Sequence, residues 1–213
     1  VRNFVEKEIY PHEAEVERTG NVPLELGQSI KQKVLDLGFY ACNFPESVGG
    51  AGLNHLDFTL VERELGRGSM ALTHFFGRPQ NILMACRDEQ IERYLLPAVK
   101  GEITDALAMT EPDAGSDVRG MKCNAVSDGT DWILNGSKHF ISGAEHADFF
   151  IVFVATGVDE TPRGPKKRIT TFLVDRGTQG FEVRNGYNSV SHKGYKNCIL
   201  DFDNCRLPKK AVL

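Results

Sequence analysis

From Val1 to about residue 105 the apolar positions recur at spacings of three and four, which places them along one face of a helix. Phe4, Val5 and Ile9 form a first stripe, which Pro11 is expected to interrupt. A second helix is predicted from near Pro23 through Leu26, Ile30, Val34 and Leu37 to Gly38, because proline suits a first helical position and glycine a C-terminal cap. Residues 39 to 54 carry Pro45, Gly49, Gly50 and Gly52 and read as a loop, after which Leu56, Leu60, Val61 and Leu65 restore helical spacing up to Gly66. A further helix is expected over residues 75 to 86. Another should follow an Asp88 N-cap, with Ile91 and Leu95 on one face and Pro97 closing it.

From about Ala106 the period changes to two, and β-branched or aromatic residues bounded by turn dipeptides take over. Trp132, Ile133 and Leu134 lie between Asp128-Gly129 and Asn135-Gly136, both expected to be hairpin turns. Residues 149 to 155 are continuously apolar and predict a strand buried on both faces. Residues 169 to 174 and 197 to 202 predict two more, the last with Cys198, Leu200 and Phe202 facing one way and Ile199, Asp201 and Asp203 the other. The fold class is therefore α+β, with a helical domain over residues 1–105 and a mainly antiparallel, β-barrel-like domain over residues 106–213. Between strands, residues 157 to 168 read as an exposed basic loop through Arg163, Lys166, Lys167 and Arg168. It is either simply solvated or in contact with an anionic ligand or partner.

Composition narrows the function classes. The chain has 213 residues, 41% hydrophobic and 25% charged, with a net charge of −4, so it can bury a core and is neither disordered nor collagenous. Without a basic block it is not read as a nucleic-acid binder. Five scattered cysteines, with no C-x-x-C and no zinc-like histidine spacing, read as free thiols in a reducing compartment. No apolar run approaches the roughly 20 residues of a membrane span, and the acidic N-terminus is no signal peptide. A soluble intracellular protein is expected. Its start at Val1 reads as that of a piece of a longer chain.

The stretch Leu107-Ala108-Met109-Thr110-Glu111-Pro112-Asp113-Ala114-Gly115-Ser116-Asp117 runs from a short apolar strand into small and hydroxylated residues. Such a stretch suits a ligand held by backbone groups, and equally a tight turn capped locally by its own Ser and Asp. With its surroundings it resembles the acyl-CoA dehydrogenase family, whose middle domain opens on a T-E-P-x-A-G-S-D loop. The resemblance continues through Asn135-Gly136-Ser137-Lys138-His139-Phe140-Ile141-Ser142, similar to N-G-x-K-x-(W/F)-I-(T/S), and ends at Phe202-Asp203-Asn204-Cys205-Arg206-Leu207-Pro208, similar to F-D-x-V-R-V-P. Phe44-Pro45-Glu46 and residues 90–97 carry it through the helical half. Phe140 stands where many members have Trp, Ser142 where many have Thr, and Asp113 where Gly is common.

That resemblance implies an N-terminal helical domain and a middle β-domain of an FAD enzyme that oxidises an acyl-CoA thioester between its α and β carbons. It implies that Leu107, Met109, Thr110, Gly115 and Ser116 line the flavin, with Ser116 also near the acyl-CoA. Phe140, Ile141 and Ser142 form a second flavin contact, the aromatic packing on the ring and the hydroxyl near its redox-active nitrogen. The family's catalytic base is a glutamate of a C-terminal domain, so none of residues 1–213 is assigned that role, Glu111 included. The implied partners are an acyl-CoA substrate, an electron-transferring flavoprotein and further copies in a dimer or tetramer, in a bacterial cytoplasm or the mitochondrial matrix. The rival functions are an acyl-CoA oxidase or flavin monooxygenase, or a non-catalytic flavin- or CoA-binding module. His139, His146 and His192 show no metal-like spacing and are expected in surface or packing roles.

Overall fold

The computed structural model describes residues 1–162 and 164–213; Arg163 of the basic stretch lies outside the described residues. The chain folds as two units. One comprises Val1–Ile103 with Asn188–Tyr195, and the other Thr104–Tyr187 with Lys196–Leu213.

The first unit is helical. Its first helix does not stop at Pro11: α-helical Arg2–Phe4 passes into a π turn, Val5–Ile9, and on into α-helical Tyr10–Thr19, where Pro11 lies in the first turn. A proline has no N–H to offer and its ring collides with the carbonyl four residues back. The wide turn before it removes that conflict, with Tyr10 N–H bonding Val5 O across five residues instead of four. The same arrangement recurs at Ile91–Leu95, a π turn leading into Leu96–Val99 with Pro97 inside it. Pro97 therefore continues a helix that it was expected to close. Asp88 is not its side-chain cap; it adopts a left-handed conformation (φ 46°), and Gln90 precedes the π turn.

Leu24–Asp36 and His55–Leu65 follow the predicted stripes, the second capped by Asn54, whose side chain accepts from Asp57 N–H at 3.0 Å. The helix expected over residues 75–86 is absent. Short turns at Met70–Thr73, His74–Phe76 and Asn81–Ala85 replace it. The break has a local cause. Gly77 takes φ 76° so close to Tyr40 that a Cβ would stand 1.8 Å from its ring, and Pro79 follows. Phe4, Ile9, Ile30, Val34, Leu65, Leu72 and Phe76 are buried, and the rings of Phe4 and Phe76 meet edge to face at 5.7 Å.

The second unit is a seven-stranded sheet built from β1 (Asp105–Ala108), β2 (Asn124–Ser127), β3 (Asp131–Ser142), β4 (Phe149–Asp159), β5 (Lys166–Asp175), β6 (Phe181–Tyr187) and β7 (Asn197–Pro208). The order is β1-β4-β2-β3-β7-β6, with β5 also on β4; β1 and β2 run parallel to β4 and the other pairs are antiparallel. Ala106, Leu134, Ile141, Phe150, Val152, Phe172, Leu200 and Phe202, from five strands, form one buried cluster, so the sheet curls around its own apolar face. Each large apolar side chain removed from water there contributes about 1.5–3 kcal/mol.

One of the two expected turns is strand instead. Asp128-Gly129 does connect β2 to β3, but Asn135-Gly136 lies inside β3 at a bulge against β7. There Gly136 (φ 132°) passes so close to Cys123 that a Cβ would stand 2.7 Å from its Cα. The expected basic loop is mostly hairpin as well: Lys166, Lys167 and Arg168 belong to β5, opposite Asp159, Val158 and Gly157. Arg168 pairs with Asp159 and the Lys167 ammonium donates to the Met121 carbonyl, so cross-strand charge extends the pairing past the apolar run.

Candidate functional site

Along β1, Ala106 and Ala108 enter the core while Leu107 lies half-buried on the opposite face, followed by half-buried Met109 and Thr110. The chain then turns back on itself. Glu111 and Ala114 exchange backbone hydrogen bonds (3.0 and 3.3 Å) around Pro112-Asp113, and exposed Gly115 and Ser116 follow. A Cβ on Gly115 would meet nothing within 4 Å, so this end of the turn is open to a ligand.

What fixes the turn is a buried ion pair that sequence reasoning missed. Lys138 of β3 is 0% exposed; its ammonium donates to Glu111 Oε1 at 2.7 Å and to the Met109 carbonyl at 3.1 Å. The Glu111 carboxylate also accepts from the backbone N–H groups of Lys122 (2.5 Å) and Cys123 (3.1 Å). Glu111 is thus enclosed and fully engaged. The signal was present only as Lys138 within the N-G-x-K segment, since its partner lies 27 residues away.

The next residues of β3 complete the site. His139 N–H donates to the Thr110 carbonyl at 2.8 Å, so the turn and β3 are stitched side by side. Pairing with β7 slips by one residue between Lys138 and Ile141, and within this bulge Phe140 takes φ 58°. Ile141 consequently enters the core at 2% exposure, while the Phe140 ring stays 54% exposed. The half-buried Ser142 hydroxyl accepts from Asn197 Nδ2 at 3.0 Å and keeps its own proton for donation. Leu107, Met109, Thr110, Phe140 and Ser142 therefore belong to one neighbourhood. Ile141 can offer a ligand only its backbone.

An exposed aromatic ring beside a hydroxyl donor and a stiff, small-residue turn suits a flat heteroaromatic group with hydrogen-bonding edges, and a flavin fits it. A separate cavity of about 330 Å³ behind the turn is lined by Asp113, Lys122, Asn124, Asn135 and Ser137 among others. It includes none of the residues named above for the flavin. His139 Nδ1 lies 2.6 Å from the Tyr187 hydroxyl, and the described residues hold no group of three or more side chains placed for a metal. All five cysteines are free and buried. Burial pushes the Cys123 thiol up to about 12, and those of Cys86 and Cys205 up to about 11. Among the described residues no helix is long and apolar enough to cross a membrane.

A helical unit followed by a curled, mostly antiparallel sheet, with a T-E-P turn locked to an N-G-x-K strand, defines a class of flavin-dependent proteins. The family model for the acyl-CoA dehydrogenase N-terminal domain matches residues 1–102, and that for the acyl-CoA dehydrogenase middle domain matches residues 106–205. The chain belongs to the acyl-CoA dehydrogenase family. It is 33% identical over 217 residues to the 3-(aryl)acrylate reductase of Clostridium sporogenes, covering 100% of this chain and 55% of that one. It is 33% identical over 218 residues to the mitochondrial isovaleryl-CoA dehydrogenase of Pongo abelii, covering 100% and 51%. A solved glutaryl-CoA dehydrogenase of Mycobacterium smegmatis in complex with FADH2 superposes with a TM-score of 0.84 at 29% identity, covering 99% of this chain and 52% of that one. The chain spans about half the length of the curated relatives it matches.

Proposed function

We propose that this chain is the N-terminal and middle part of an acyl-CoA dehydrogenase. The reaction takes a proton from the α carbon and a hydride from the β carbon of an acyl-CoA thioester, giving the trans-2-enoyl-CoA, with the electrons passing on to an electron-transferring flavoprotein. The observation that carries this reading is the exposed Phe140 ring at a left-handed bulge, stitched beside the Met109–Thr110 turn. Bound FAD would supply the hydride acceptor.

The chain's own residues bind and orient. Phe140 offers an aromatic face, Ser142 a hydroxyl proton, and Leu107, Met109 and Thr110 an apolar-to-polar edge. Gly115 and Ser116 leave room for a phosphate or the thioester portion of the substrate. The family resemblance assigns the proton at the α carbon to a base outside residues 1–213, and Glu111 is held by Lys138 and two backbone amides. The proposed assembly is a homo-oligomer, in a bacterial cytoplasm or the mitochondrial matrix, the latter supported by the mitochondrial relative.

The test is the visible spectrum of the complete gene product before and after anaerobic addition of acyl-CoA thioesters of graded length and branching. Flavin bands that bleach with one class support the reading and name the substrate. Bands that persist with every thioester reject the dehydrogenase reaction, and a colourless protein rejects the cofactor. A second reading, reduction of an α,β-unsaturated acid, is favoured by the likeness to the 3-(aryl)acrylate reductase of Clostridium sporogenes. Reoxidation of the chemically reduced protein by such compounds tests it.

A further inference from the structure

The order β3-β7-β6 separates β3 from β6 by a whole strand, roughly 10 Å of sheet. Even so, the rings of Phe140 on β3 and Tyr187 on β6 stack with centroids 4.5 Å apart and planes inclined by 24°. Two bulges produce this contact. On β3 the slip falls between Lys138 and Ile141, opposite Leu200 and Cys198; on β6 it falls between Arg184 and Tyr187, opposite Ile199 and Asn197. Both therefore flank the same stretch of β7, one on each side. The β6 bulge depends on glycine, because a Cβ on Gly186 would stand 1.5 Å from the Asn197 carbonyl oxygen.

Tyr187 touches this segment a second time through its hydroxyl, 2.6 Å from His139 Nδ1, while His139 N–H is bonded to Thr110. An aromatic residue in the left-handed region stays there only if its neighbours hold it. Tyr187 is the neighbour that does so from outside the two sequence signatures. Resting on the cofactor reading above, we propose that Tyr187 is a positioning residue. It covers one face of the Phe140 ring and fixes the other toward the flavin, which Tyr187 itself does not touch.

The test uses the full-length protein, with Tyr187→Ala, which removes stack and hydroxyl, and Tyr187→Phe, which keeps the stack. In a Phe140→Trp background, emission of the flavin-stripped protein reports the ring's surroundings against the constant signal of Trp132. Flavin affinity and the shape of its visible bands are measured in the Phe140 proteins. Tyr187→Ala is expected to red-shift the emission of the introduced tryptophan and to weaken flavin binding about tenfold, and Tyr187→Phe to stay within about threefold. The melting temperature of the stripped protein should not change, which separates positioning from a general structural role. Unshifted emission in Tyr187→Ala overturns the positioning. Shifted emission with unchanged flavin affinity and bands overturns its connection to the cofactor. If the unmodified protein binds no flavin while the emission still shifts, the cofactor reading fails and the hold of Tyr187 on the ring stands.

Discussion

Removing one member of the Lys138–Glu111 pair leaves a buried charge in the sheet unit without its partner. The charges stand 2.7 Å apart with side chains 0% and 4% exposed. At an effective dielectric of about 20 their attraction is about 6 kcal/mol. Drying each group costs several kcal/mol, so the intact pair contributes little net stability, whereas an orphaned partner leaves its desolvation unopposed. Lys138→Met should therefore destabilise the sheet unit by about 3–5 kcal/mol. Glu111→Gln should cost about 2–3 kcal/mol, since a carboxamide oxygen still accepts from one of the three donors that Glu111 serves. The double variant should cost clearly less than the sum, because neither charge is then abandoned. Urea unfolding followed by fluorescence reads this unit alone, as Trp132 is the only tryptophan and its ring lies 5.6 Å from Phe172. A loss below about 1 kcal/mol for Lys138→Met, or strict additivity in the double variant, would refute the reasoning.

Asp128 accepts from the backbone N–H groups of Asp131 and Thr130 and pairs with Arg206, which holds its carboxyl at about 2. A depressed folded-state value means that this stabilisation is full above the usual carboxylate range near 4 and disappears as the pH falls through about 2. Melting curves of Asp128→Asn should lie below wild type at pH 6 and meet it near pH 2; parallel curves throughout would remove the carboxylate from the account. Native protein at pH 8 should react with less than one equivalent of a thiol reagent, because burial keeps Cys123, Cys86 and Cys205 protonated, and with all five after denaturation. Fast labelling of Cys123 in the folded state would contradict this. Gly136→Ala, which combines φ 132° with a Cβ 2.7 Å from Cys123 Cα, should lower stability by about 2–4 kcal/mol in the same urea assay. A loss under about 0.5 kcal/mol would show that the bulge yields easily.

The elements legible from periodicity were those in which one face meets one core. Cys198, Leu200 and Phe202 alternate in sequence and are buried in the sheet, and Ile30 and Val34 lie on a single helical stripe. Where the chain departs from regular hydrogen bonding, composition pointed the wrong way. Pro11 and Pro97 look like stops because the wide turns that accommodate them leave no compositional trace. Asn135-Gly136 has the residues of a hairpin turn, but the same positive φ serves a bulge in mid-strand. Gly77 appears as one more small residue until Tyr40 is seen lying against it. The site divides in the same way. Its two linear segments are readable, while nothing in the sequence sets the partners of Lys138 or Tyr187 apart, since only the fold brings Glu111 and Phe140 to them.

The helical unit is not finished where its helices end. Asn188–Tyr195 belongs to it, held by Lys193 against Glu17 at 3.2 Å, by the Tyr195 ring against His74 at 5.3 Å, and by Gly194 packed against Val16 and Ala71. On a ribosome, which releases a chain from its N-terminal side, those helices must wait for almost the whole sheet to be synthesised before their last contacts can form. A cut after Ile103 therefore does not yield two independent pieces: the N-terminal fragment lacks its closing segment, and the C-terminal fragment carries that segment with nothing to receive it.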